Sequence, residues 1–486
     1  MAPMVRITSR LGLVVALLAT SLAHADSLLE VYQLARQNDP QVREADANRL
    51  AVREARPQAR GALLPQVDAS AGKDWVSNDG SNVFAQAIDD DGNPATPPQV
   101  VLANRQFDGR SSTEQWRVDL TQTLFRWDQW VRFRQADKQV LQADVDYQIA
   151  DMDLYIRVSE AYFNVLAAED TLTSNVAARE AIGRQLEQAQ KRFEVGLIAI
   201  TDVQEAQAGF DQAVAAEILA KRQLATNKEV LREIIGDYPG DLSKPRSEIP
   251  LVSPNPADDN QWVELALQQN LSLQSAQLGA DIARDNIRIA RSGHFPTVDF
   301  VASHSDVDSD AKQKTLLNMQ GQPSGSLNDQ VRQPTDFETS QDSFGLQFKV
   351  PLFSGGATSS ETRQAVYEHR AAKERLERTA RQTERQTRDA YLAVTSEISR
   401  VRALQQALKS AQTALQATEA GFEVGTRTTV DVLESRRQLF QAETNFARSR
   451  YDYIVNVLKL KQAAGTLNKD DVQEVDSWLE PVSAAQ

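Results

Sequence analysis

Asp431 and Glu434 are the residues whose types and spacing point most directly to chemistry. They stand three apart at the start of a helical pattern, which puts both carboxylates on one helix face. Such a pair attracts cations and repels its own kind; in the first turn it equally complements the positive end of the helix dipole. The pair closes the stretch FEVGTRTTVDVLE, from Phe422 to Glu434. An echo, FEVGLIAITDVQE, lies 229 residues upstream, from Phe193 to Glu205. Gly196 and Gly425 each interrupt a long helical pattern, and a second pattern begins at Asp202 and Asp431 behind Thr and other cap-forming residues. The spacing predicts two helix–tight turn–helix hairpins.

Other chemistry has little support. The chain has no Cys, which removes disulfides, thiolate metal sites, a Cys nucleophile and a lipidated N-terminal Cys. His294, His304 and His369 show no metal spacing, and surface or satisfied histidine is the plainer reading. Gly-rich phosphate loops, G-x-S-x-G and H-E-x-x-H are absent. No cofactor is expected. A hydrolase working through paired carboxylates would need an acid pair on a pocket-forming pattern, and none is found. With 53 basic and 67 acidic residues, the balance argues against nucleic acid as a partner.

The elements that position the acids follow from periodicity. Residues 1–25 read as a secretory signal: Arg6 and Arg10, the apolar run LGLVVALLATSLA, then Ala23-His24-Ala25. No later run approaches the 18 apolar residues of a spanning helix. Matched residues recur 228 to 231 apart, as in Leu34-Ala35 with Leu265-Ala266 and Leu124-Phe125 with Leu352-Phe353. Two tandem copies follow, residues 26–250 and 251–486, each reading helix, strand, loop, strand, long helix, tip, helix. The second copy adds a short C-terminal tail after Gly465, and the Pro-rich segment Gly236 to Asn260 links the two. Pro57 should kink the first helix.

The strands alternate apolar and polar residues, most cleanly in Phe344-Gly-Leu346-Gln-Phe348-Lys-Val350. Alternation alone fits a soluble sheet packed on a core. Strands of about ten residues, aromatics clustered at their ends and long polar loops at roughly 77–112 and 304–342 favour a membrane barrel. Leu346, Phe348 and Val350 would then meet lipid, with Gln347 and Lys349 on the lumen side. Four strands cannot close a barrel, and open edges are not tolerated in lipid, so two, three or four chains must share one. The stretch from Trp127 to Phe193 lacks Pro and would run on the order of 100 Å at about 1.5 Å per residue. Its 4-3-4-3-4 apolar spacing from Leu154 to Leu172 is coiled-coil seam geometry, and Leu404 to Leu415 repeats it.

The blocks VYQLARQNDP, AYFNVLAAED, RQLEQAQKRFEVGLIAITDVQ, ARDNIRIARSGHFPTVDF, GFEVGTRTTVDVLE and RYDYIVNVLKLKQAAGTLN resemble the TolC family of outer-membrane channel proteins. The resemblance implies a mainly α chain with a membrane β-barrel. Three chains would form one twelve-stranded β-barrel, four strands each, continuing into a long periplasmic α-helical barrel of coiled coils. It further implies an outer-membrane exit duct for tripartite efflux and type I secretion, extending into the periplasm. The implied partners are a periplasmic adaptor (membrane fusion protein), an inner-membrane transporter of RND, ABC or MFS type, and outer-membrane lipid. Val195-Gly196-Leu197 and Val424-Gly425-Thr426 correspond to the adaptor-contacting tips, and Asp431 and Glu434 to an acidic ring at a periplasmic gate. The closed-state links would fall on Arg427 with Thr201, Asp202 and Gln185. Phe422 stands where the family has a linking Tyr, so one tie is missing or remade. A periplasmic coiled-coil scaffold without a pore is the rival expectation.

Overall fold

The computed structural model describes residues 27–88, 99–246, 248–319 and 333–480. The expected signal, residues 1–25, and the acidic run Asp89–Asp91 lie outside the described residues. Contacts divide the chain into two compact units that draw on both halves of the sequence. One takes residues up to Leu50, Gln142–Gln277 and those from Glu374 on; the other takes Ala51–Leu141 and Leu278–Lys373.

The second unit holds the sheet. Its strands β1 (Gln66–Ile88), β2 (Gln99–Phe125), β4 (Thr297–Met319) and β5 (Gln333–Lys349) are antiparallel in the order β1-β2-β4-β5. β1 and β5 are the edges. Register decides the faces. Val67, Leu120, Ala302 and Phe344 stand in one row, and Phe300 with Leu346 and Val298 with Phe348 in others on the same face. Asp68, Asp119, Ser303 and Ser343 form a row on the other face, where the two serine hydroxyls meet at 2.8 Å. Phe344, Leu346 and Phe348 are 84%, 69% and 67% exposed, so the apolar face covers no core within this chain.

The strands are longer than the alternation predicts. Residues 77–88, 99–112, 304–319 and 333–342 are strand rather than loop. Beyond Trp116 the apolar face turns polar, with Lys73, Glu114, Asp308 and Glu338 in one row and an ion pair between the first two. The backbone ladder continues there because it depends on paired amides and carbonyls rather than on apolar side chains. Alternation marks only the stretch where one face is apolar. At the opposite strand ends, Trp127 and Phe295 lie 6.4 Å apart and Asp299 pairs with Arg126 at 2.9 Å.

Helices make up the rest. α1 (Leu28–Asn38), α2 (Pro40–Arg53) and α3 (Ala55–Gly61) precede the sheet. α1 opens on a Ser27–Glu30 capping box and buries Leu28, Val31, Tyr32 and Ala35, a single stripe. Asp39, before Pro40, leaves helical geometry at ψ 120°. Pro57 falls in the first turn of α3, and the break comes three residues earlier at Glu54, because Pro57 offers no N–H to the carbonyl four residues back. α4 (Trp127–Glu194) and α8 (Ala357–Glu423) run 68 and 67 residues, with α5 (Ile200–Ile235) and α9 (Thr429–Ala464) returning from them. α6 (Asp259–Gln269) and α7 (Leu271–Ser292) lead into β4.

The first unit's core gathers Leu154, Tyr162 and Leu166 of α4, Leu231 of α5, Val394 of α8 and Ile454 and Leu458 of α9. The Pro-rich linker packs on this core. Its β3 (Lys244–Pro245) pairs with β6 (Leu479–Glu480), which follows α10 (Lys469–Asp476). Lys244 reaches Asp170 at 3.0 Å, and the Tyr453 hydroxyl accepts from the Val252 N–H at 2.9 Å. Burial, with Asp170 beside it, pushes the Tyr451 hydroxyl far above the ordinary phenol range. It therefore keeps its proton and donates a hydrogen bond to an Asp170 oxygen at 2.5 Å.

Candidate functional site

Both tips close with one motif. At the end of α4, Gly196 N–H donates to Phe193 O (2.8 Å) and Leu197 N–H to Arg192 O (2.9 Å). At the end of α8, Gly425 N–H donates to Phe422 O (3.1 Å) and Thr426 N–H to Gly421 O (2.8 Å). This is the Schellman arrangement, and its left-handed residue has φ 76° at Gly196 and 77° at Gly425. Side chains without that freedom would be strained at either position. Val195, Leu197 and Val424 point away from the chain, 69%, 72% and 76% exposed.

The return helices start differently. α5 has Ala199 as its N-cap, with no side-chain bond, and Thr201 is already inside the helix. α9 has Thr428, whose hydroxyl accepts from Asp431 N–H, while Asp431 Oδ2 accepts from Thr428 N–H at 2.8 Å. Asp431 thus completes a capping box. The backbone bond from Thr428, then its hydroxyl, hold the Asp431 carboxyl below the usual carboxylate range. Glu434 lies one turn on, exposed, and accepts from Arg437 at 3.1 Å and Gln438 at 3.3 Å. The Asp431 carboxylate is therefore ionised near neutral pH in its hydrogen-bonded form.

The remaining expected positions divide. Gln185 is buried beside the small core of the first tip, where Leu186, Ala189, Val203 and Ala206 pack with Ile198 and Phe210. Among the described residues of one chain, Arg427 has no hydrogen bond or ion pair with Thr201, Asp202 or Gln185. Its stem lies across Gly421, where a Cβ would come within 2.8 Å of its Cγ. Phe422 lies under a different arginine: the Arg192 guanidinium carbon is 5.0 Å from its ring centroid. Sequence reasoning missed this contact, and no spacing rule marks it. It also passed over the Thr428-x-x-Asp431 box, which the T-x-x-acid pattern before an apolar run does signal. Arg437, which also reaches Gln212 at 3.3 Å, and Leu433, packed beside Gly209, join α9 to α5 behind the tips.

Known proteins carry the same organisation. The model for the family "Outer membrane efflux protein" matches residues 31–237 and 262–466. The chain is 38% identical over 460 residues to Outer membrane protein TolC of Vibrio cholerae, covering 95% of each chain. It is 36% identical to Outer membrane protein TolC of Escherichia coli, over 96% of this chain and 87% of that one. It is 31% identical to Alkaline protease secretion protein AprF of Pseudomonas aeruginosa, over 93% and 87% of the two chains. Among solved structures, the outer membrane protein VceC of Vibrio cholerae superposes with a TM-score of 0.66 at 18% identity, over 90% and 96% of the chains. The chain belongs to the outer membrane efflux protein family and is an outer-membrane protein.

Proposed function

We propose that three copies of this chain form a passive exit duct across the outer membrane and periplasm, serving drug efflux and type I protein secretion. The sheet carries the reading: its apolar face is exposed, its other face is polar, and β1 and β5 are each paired on one side only. Lipid tolerates no open edge, so β5 of one copy would pair with β1 of the next, and the resemblance to the TolC family puts closure at three copies and twelve strands. The name of AprF supports protein secretion as one cargo route, and the family description supports efflux. The exposed Val195, Leu197 and Val424 suit docking by the helical hairpins of a periplasmic adaptor, which would join the duct to an RND, ABC or MFS transporter in the inner membrane.

The helical tips form the periplasmic gate in this reading. Asp431 and Glu434 from three copies make a ring of six carboxylates, which repel one another and draw cations to the opening. Arg427, whose guanidinium has no hydrogen bond or ion pair among the described residues and whose charge lies near Asp431, would bond Thr201 and Asp202 of a neighbouring copy and hold the ring shut. Extraction from outer membranes, heat-dependent migration at trimer size and single-channel recording in planar bilayers test the duct. Recovery as a monodisperse periplasmic protein that never conducts would favour a scaffold and end this reading.

A further inference from the structure

The geometry points to Arg192 as a positioning residue of the closed state: its guanidinium clasps Phe422 and holds the two tips of one chain together. This rests on the tip gate proposed above. Arg192 and Phe422 each occupy the last turn of a long helix, α4 and α8. The 5.0 Å from guanidinium carbon to ring centroid is within the ~6 Å reach of a cation–π contact. Both residues are half-buried, which strengthens the contact relative to an open surface. Among the described residues the guanidinium has no hydrogen bond or ion pair that would compete for it. Its starting point is fixed, because the Arg192 carbonyl is the acceptor that closes the first tip turn.

The repeat explains why the clasp runs one way. Phe193 is the counterpart of Phe422 at the 229-residue spacing, so the counterpart of Arg192 is Gly421. Glycine there makes room for the Arg427 stem, which passes where a Cβ would stand. The two tip arginines therefore divide the work. Arg192 is spent inside the chain on the ring of Phe422, and Arg427 is left for a neighbour. A ring without a hydroxyl suffices, since the contact uses its face.

Single-channel recording of a double-mutant cycle tests the clasp, on channels matched for assembled trimer and thermal stability. Arg192→Gln and Phe422→Leu should each raise open-state occupancy, about two- to thirty-fold per clasp. The double variant should exceed neither single by more than error, and Phe422→Tyr, which keeps the ring face, should stay at or below the unmutated level. Unchanged conductance in Arg192→Gln, or additive increases, would overturn the clasp. So would an effect of Arg192→Gln without one of Phe422→Leu, since that pattern belongs to a cation complementing the end of α4. Conductance absent from the unmutated protein would instead overturn the gate reading beneath it.

Discussion

Asp431 has two uses at one position, and they respond differently to mutation. Its carboxylate caps α9 through Thr428, and its charge contributes to the proposed ring. Thr428→Ala should lower the stability of the first turn of α9 by about 0.5–2 kcal/mol while leaving the charge in place. Amide exchange should quicken over Thr429–Val432 with the rest of α9 unaffected; uniform exchange would show that the box does not hold the turn. Because the folded carboxyl titrates below its ordinary value, the cap's contribution is complete above about pH 4 and fades as pH falls through the depressed value. The unmutated protein should show the same quickening only under strongly acid conditions. On the sheet, Phe348 and Lys349 are neighbours on opposite faces. Phe348→Arg should cost about 2–4 kcal/mol near the membrane midplane and reduce assembled trimer, whereas Lys349→Glu should leave assembly intact. Equal tolerance on extraction from membranes would place both faces in water.

At the scale of elements, stops matter as much as periods. α9 ends at Gly465, which has φ 76° and lies against the backbone of Gln269, whose carbonyl oxygen would sit 2.5 Å from an added Cβ. Backbone cannot swing aside as a side chain does. Gly465→Ala should therefore cost more than the ~1–2 kcal/mol of left-handed strain alone, seen as a lower unfolding midpoint. A midpoint equal to the unmutated one would mean the turn re-forms with another geometry. The long helices were legible because nothing interrupts them: the expected Trp127–Phe193 differs by one residue at most per end from α4. The strands were legible only where one face is apolar, so their polar extensions read as loop. The linker's docking onto α4 and α9 depends on Lys244 and Val252 meeting residues more than 70 positions away, which no local pattern encodes.

At the scale of the assembled molecule, the proposed ring predicts that the two acids act together. Asp431→Asn with Glu434→Gln should weaken cation selectivity and abolish block by multivalent cations applied from the tip side. Reversal potential and block unchanged in the double variant would leave the two acids with local roles only, one in the cap and one beside Arg437.

The sequence by itself determined the elements and their order, because helix period, strand alternation, Gly turns and Pro breaks are local consequences of backbone sterics and apolar spacing. It also identified the residues of both tips, since the shared FEVG stretches announce two turns of one kind. Tertiary structure decided the rest. It set the four-strand order with β2 beside β4, and the burial of Gln185. It also set Gly421 beneath Arg427 and Arg192 over Phe422. Those pairings join residues brought near only when two hairpins pack. A cation over a ring, or a missing Cβ beneath a stem, is a relation in space that leaves no period in the chain.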